Sequence, residues 1–163
     1  MNQENNQTYS KRRNTRILAV CVMYSLEVNK NLFTEEDKTL ILEQSISDVL
    51  AMSQTEFLSD EFPTLFSLEY LKELTSKCYF EIKSIDEIIS NSLVKYTIDR
   101  LSYVDRAIVR IAVTEMLLNN TPKNIIINEA IEITKELTSI EEDSQVKFNN
   151  KLLDNIAGKI YGK

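Results

Sequence analysis

An all-α fold is predicted by three features of this 163-residue chain: glycine and proline are scarce, apolar residues recur at helical spacing, and capping residues stand where those stripes begin. Only two Gly and two Pro occur, against about 7% and 5% of an average chain. Sheets and hairpins therefore lack most of their turn chemistry. At 43% hydrophobic, the chain suits one helical domain over residues 10–163, able to bury roughly 68 to 70% of its unfolded surface.

Met1 to Tyr9 is rich in Asn and Gln and is expected to be a disordered tail, because it offers almost nothing to bury. The first helix is predicted from about Ser10 to Val28, with Ile17, Val20, Cys21 and Tyr24 in an i, i+3, i+4, i+7 stripe. A second spans about Glu35 to Met52 behind a Thr34 cap, turning Leu42, Ile46, Val49 and Leu50 inward. Ser53 to Pro63 reads as a connection, followed by a helix from Leu65 to Ile82. Ser84 is expected to cap a short helix carrying Ile85, Ile88 and Ile89.

Ser102 and Asp105 have the S-x-x-D spacing of an N-terminal cap, and Val104, Ile108, Ile111, Ala112, Glu115 and Leu118 trace the helix behind it. Asn119 to Pro122 ends that helix. Lys123 to Leu137 makes the next, and Ser144 to Ile160 the last, with Phe148, Leu152, Leu153 and Ile156 as its apolar face. About seven helices result.

Charge is distributed unevenly. The chain has 19 Lys plus Arg and 25 Asp plus Glu, net −6; residues 1–23 hold Lys11, Arg12, Arg13 and Arg16 against Glu4, net +3, leaving −9 for residues 24–163. Cations at a helix start oppose the helix dipole, so folding gives little reason for them. Two readings stay open: a handle for a polyanion such as RNA, which the acidic faces would repel, or a solvated terminus that aids solubility. Tyr24, one or two turns further on, either stacks a nucleotide base or belongs to the core, and Phe148 poses the same choice.

Catalytic chemistry finds little support. The chain has no histidine, which argues against imidazole catalysis and a zinc site, and Cys21 and Cys78 read as buried thiols of a reducing compartment. No glycine-rich phosphate loop and no metal-ligand cluster occurs, so neither cofactor nor metal is expected. Carboxylate runs such as Glu141, Glu142 and Asp143 read as solvated faces or caps rather than acid–base pairs. No signal peptide is evident and the apolar runs fall far short of the ~20 residues of a membrane span, so a cytoplasmic protein is expected. Arg100, Arg106 and Arg110 are interleaved with acids and are read as scaffold pairing with Asp99, Asp105 or Glu115, with phosphate binding as the alternative. Asn128, beside Glu129 in an apolar helix, either satisfies a buried backbone group or meets a partner.

These segments appear in a recognisable order: Arg12-Arg13-x-x-Arg16 with Met23-Tyr24-x-x-Glu27; Ile98-Asp99-Arg100-Leu101 and Val104 to Arg110; Pro122 through Ile127-Asn128-Glu129-Ala130-Ile131-Glu132; and Lys147-Phe148-x-Asn150-x-x-Leu153-Asp154. Together they resemble the NusB family of bacterial transcription antitermination and termination factors, over about residues 11–28 and 85–157. The final motif departs from the family's usual F-V-N-G: it reads Phe148-Asn149-Asn150-Lys151, so a polar residue replaces a small apolar one and Lys replaces Gly.

The resemblance implies two small helical bundles without catalysis, binding single-stranded boxA RNA of ribosomal RNA leaders. It also implies NusE, a ribosomal small-subunit protein, as companion, and an RNA polymerase antitermination complex. On this pattern Lys11, Arg12, Arg13 and Arg16 meet RNA phosphates, Tyr24 and Phe148 lie near bases with Asn150 and Lys151 beside them, and the acidic segment at Asp143 is nearer NusE. A homodimer is compatible with the resemblance and would cover the basic surface. Two rival readings are an RNA-binding module of a ribosomal RNA methyltransferase, which would require this chain to be a fragment because it ends at Lys163 without a glycine-rich cofactor domain, and a helical adaptor that binds protein only.

Overall fold

The computed structural model describes residues 2–57, 64–138 and 143–162, with side chains at 11–54, 64–138 and 144–162. Among the described residues there are seven α-helices, a 3-10 turn and no strand. The helices are α1 (Asn2–Val28), α2 (Lys38–Phe57), α3 (Leu68–Phe80), α4 (Ile82–Asn91), α5 (Tyr103–Leu118), α6 (Lys123–Leu137) and α7 (Asp143–Tyr161), the turn lying at Ile98–Arg100. They form two compact units that divide between Phe80 and Glu81.

In the first unit α1 packs on α2 and α3, which also touch each other. Leu18, Val22, Met23 and Leu26 of α1, Ile46 and Val49 of α2, and Leu71, Leu74 and Cys78 of α3 are buried. Tyr79, fully buried, donates its hydroxyl to the Asn31 carbonyl at 2.6 Å, and burial raises its pKa above the ordinary phenol value. Helix α1 starts at Asn2, not near Ser10, so the segment expected to be a disordered tail is helical backbone from Asn2 onward. Extending a formed helix needs no new nucleus, which is why polar residues can continue it. The arginines therefore sit well inside the helix, where the dipole penalty argued from a helix start has faded.

The helix starts also move. α2 begins at Lys38 rather than Glu35: Asp37 accepts the Leu40 N–H at 3.2 Å and so caps it, while Thr34 takes the Glu36 N–H in a preceding turn. Ser67 accepts the Tyr70 N–H at 3.1 Å where α3 starts. Ser84 is inside α4, whose N-cap is Glu81 without a side-chain bond. Of the expected connection Ser53 to Pro63, residues 53–57 continue α2 and 58–63 lie outside the described residues. With so little glycine, Lys30 and Asn119 take the left-handed backbone conformation after α1 and α5, at φ 60° and 56°.

The second unit is built around α5, which packs on α4, α6 and α7. Every residue from Ala107 to Met116 is buried, the pattern of a helix covered on all sides. Its cap is the expected one: Ser102 Oγ accepts the Asp105 N–H at 3.1 Å. Arg110 has a partner on another helix that was not among the expected acids. Arg110, 1% exposed, makes a bidentate ion pair with Asp86 of α4 at 2.8 and 3.0 Å, and Arg106 donates to the Ile98 and Asp99 carbonyls. At the other polar pair, Asn128 is exposed and Glu129 is the buried member.

The Asn149 departure has a local explanation. Asn149 is fully buried and donates to Asp105 Oδ1 at 3.1 Å and Thr134 Oγ1 at 3.4 Å, while Gln145 donates to its amide oxygen at 3.0 Å. It ties α7 to α5 and α6 through groups that would otherwise be desolvated with fewer bonds. Asn149→Val, which restores an apolar residue, is expected to cost about 1–3 kcal/mol by stranding polar atoms. A fall in thermal midpoint of about 2–4 °C per kcal/mol, read by circular dichroism, checks it; an unchanged midpoint would refute the network's role.

Candidate nucleic-acid interface

The sequence-derived site residues fall into two sets, one on α1 in the first unit and one on α7 in the second. On α1 the arginines share an arc but not an environment. Lys11 and Arg12 are exposed, Arg13 is half-buried, and Arg16 is only 5% exposed. Burial of that size leaves Arg16 little surface to offer a polymer. Arg13, Ile17, Cys21 and Tyr24 recur every three or four residues along the partly exposed side of the helix. Tyr24 is 40% exposed and stands about 16 Å beyond Arg13 along the axis.

Hydrogen bonds to the start of α3 hold the cationic stretch in place. Thr15, fully buried, donates to the Lys11 carbonyl at 2.7 Å and accepts the Ser67 N–H at 2.9 Å, and Asn14 donates to the Leu65 carbonyl at 3.0 Å. This docking brings Tyr70 under Arg12, whose guanidinium carbon lies 4.1 Å from the ring centroid. A stacked guanidinium is held by its face and keeps its N–H donors at the edge, where a phosphate can meet them in a fork. Tyr70 lies outside every motif of the sequence, and only the packing of α3 on α1 reveals its part.

On α7, Phe148 is half-buried and Asn150 and Lys151 are exposed. Phe148 meets Tyr96 edge-on, with centroids 6.3 Å apart and planes at 69°. The two rings border an apolar cleft of about 380 Å³ that Lys95 and Lys151 also line. Tyr96 was missed by sequence reasoning, although an aromatic beside a lysine in a polar connection was a signal. Asp143 opens α7, but its side chain lies outside the described residues. Among the described residues no helix is long and apolar enough to cross a membrane.

The fold is that of the solved NusB proteins. T. maritima NusB superposes with a TM-score of 0.68 at 27% identity, covering 93% of this chain and 97% of that one. A structure of antitermination factors NusB and NusE in complex with dsRNA matches with a TM-score of 0.68 over 90% of this chain and 96% of the other. At 22% identity that second likeness is one of fold.

The chain belongs to the NusB family, whose family model matches residues 13–158. The transcription antitermination protein NusB of Staphylococcus aureus is 36% identical over 115 residues, 71% of this chain and 86% of the relative.

Proposed function

We propose that this protein is an RNA-binding transcription antitermination factor that holds single-stranded boxA-type RNA of ribosomal RNA leaders together with NusE. In that role it would join the RNA polymerase complex that reads through terminators. The observation that carries the reading is the α1 surface: Lys11 and Arg12 exposed, Arg13 beside them and Tyr24 further along, on a chain that is otherwise acidic. Like-charge repulsion keeps a polyanion off the acidic faces, and fixed cations on a rigid helix receive it without first being ordered. Family membership supports the assignment, and the solved complex of a NusB with NusE and dsRNA supports the pairing with NusE and with RNA, though not the single-stranded form. Asn150 and Lys151 of α7 are further contacts, and Asp143 belongs to the NusE side.

The test is a titration of labelled boxA-like RNA, a scrambled strand and a duplex, each with and without NusE, at several salt concentrations. Phosphate contacts from Lys11, Arg12, Arg13 and Lys151 predict a slope of log K against log salt of roughly −3, at ~0.7 per contact on a single strand. The boxA-like strand should bind most tightly, and NusE should strengthen it. A flat salt response with no RNA preference would leave the adaptor reading in its place.

A further inference from the structure

We infer that the cleft between the end of α1 and the first half of α2 is a binding site for the head group of an organic cation, a guanidinium or an alkylammonium. The cleft lies within the first unit and has a volume of about 150 Å³, with Ser25, Asn29, Asn31, Gln44, Ser45 and Asp48 on its walls. Nucleotides and drug-sized ligands need roughly 300 Å³ or more, so only a head group fits. The inference stands apart from the RNA-binding reading, because none of these residues belongs to the cationic stretch of α1.

Ser45 supplies the observation that points to a ligand. It is 9% exposed, and among the described residues its Oγ is the buried side-chain polar atom left without a hydrogen-bond partner. Buried hydroxyls on the other helices bond the carbonyl four residues back: Thr15, Thr75, Thr114 and Thr134 all do so at 2.7 to 2.8 Å. Ser45 makes no such bond to Ile41 and instead lines the cleft. Leaving a buried hydroxyl unsatisfied costs stability, and a ligand that bonds it removes the cost.

The walls select the ligand's charge. Gln44 donates its Nε2 to Asp48 Oδ1 at 2.9 Å, and Asn29 donates its Nδ2 to Ser25 Oγ at 3.2 Å. Each amide thus commits its nitrogen to a neighbour on the wall and keeps its oxygen as an acceptor. With the Asp48 carboxylate beside them, and no Lys or Arg among the described residues on the walls, the cleft holds a surplus of acceptors and one negative charge. Ser25 and Leu26 also place it at the last turn of α1, where the helix dipole favours a cation. A positively charged group with several N–H donors complements these walls, whereas a phosphate would be repelled.

Titrating the isotope-labelled protein with acetyl-arginine amide should shift the side-chain amide resonances of Asn29, Asn31 and Gln44, with a Kd of about 1 mM, the scale open to a head group of a few heavy atoms. Acetyl-citrulline amide, of the same shape but uncharged, should bind about tenfold more weakly. Asp48→Asn keeps an acceptor for Gln44 but loses the charge, and should weaken arginine amide about tenfold, the worth of one charge-assisted hydrogen bond. Ser45→Ala should weaken it as well while leaving the thermal midpoint unchanged or raised, since the deleted hydroxyl has no partner. Spermidine separates the two sources of such a cation: tighter binding than arginine amide would mark a free polyamine as the ligand, and weaker binding a protein side chain. Unmoved resonances with both compounds, equal binding of the citrulline amide, or wild-type affinity in both variants would overturn the proposal. So would a lowered midpoint in Ser45→Ala, which would make the hydroxyl part of the fold.

Discussion

Replacing Lys11 and Arg12 together by alanine is expected to weaken binding of boxA-like RNA about 100-fold, taking roughly 1.4 kcal/mol, or tenfold, for each charge-assisted hydrogen bond to phosphate that disappears. The same variant should flatten the salt slope by about 1.4, since each phosphate neutralised on a single strand contributes ~0.7. These two side chains are the exposed members of the α1 cluster, so their replacement should leave the fold intact. Arg12 rests on Tyr70 and Lys11 projects into solvent, and neither holds a helix end. Phosphate contacts carry no base information, so boxA-like and scrambled strands should lose affinity by the same factor. Arg16→Ala is the instructive contrast: at 5% exposure, its replacement should act mainly on the thermal midpoint. A double variant with unaltered affinity and slope would remove α1 from the interface.

Asp86→Ala is expected to destabilise the second unit by about 3 kcal/mol, the lower end of what breaking a buried ion pair costs. Asp86 retains 14% side-chain exposure and water softens the loss, whereas Arg110 at 2% cannot turn outward without leaving the core. For a chain of this size that is a fall of roughly 10 °C in the unfolding midpoint. Asp86→Leu combined with Arg110→Met should recover most of it, because an apolar pair avoids desolvating two charges. Thermal unfolding of both variants measures the difference. If the single and double variants melt together, the pair is not what joins α4 to α5.

Some of this protein was legible in its residues. The cap at Ser102, the break from Asn119 to Pro122 and the apolar face of α7 at Leu152, Leu153 and Ile156 all appear where local chemistry placed them. The starts of α1 and α2 did not, because a helix start is set by which competing cap wins: Asp37 displaced Thr34, and nothing stopped α1 short of Asn2. The buried polar groups were the hardest to read. Arg110, Thr114 and Glu115 are polar, yet all are 1% exposed or less.

What the sequence determined alone was the helical class, the order of the helices and the concentration of positive charge near the first of them, since periodicity, capping and charge are properties of neighbouring residues. Tertiary structure decided which cations remain at the surface, that Tyr70 supports Arg12, that Asp86 answers Arg110 and that Tyr96 faces Phe148. These pairs join residues 24 to 58 positions apart, and only the packing of one element on another brings such groups within reach.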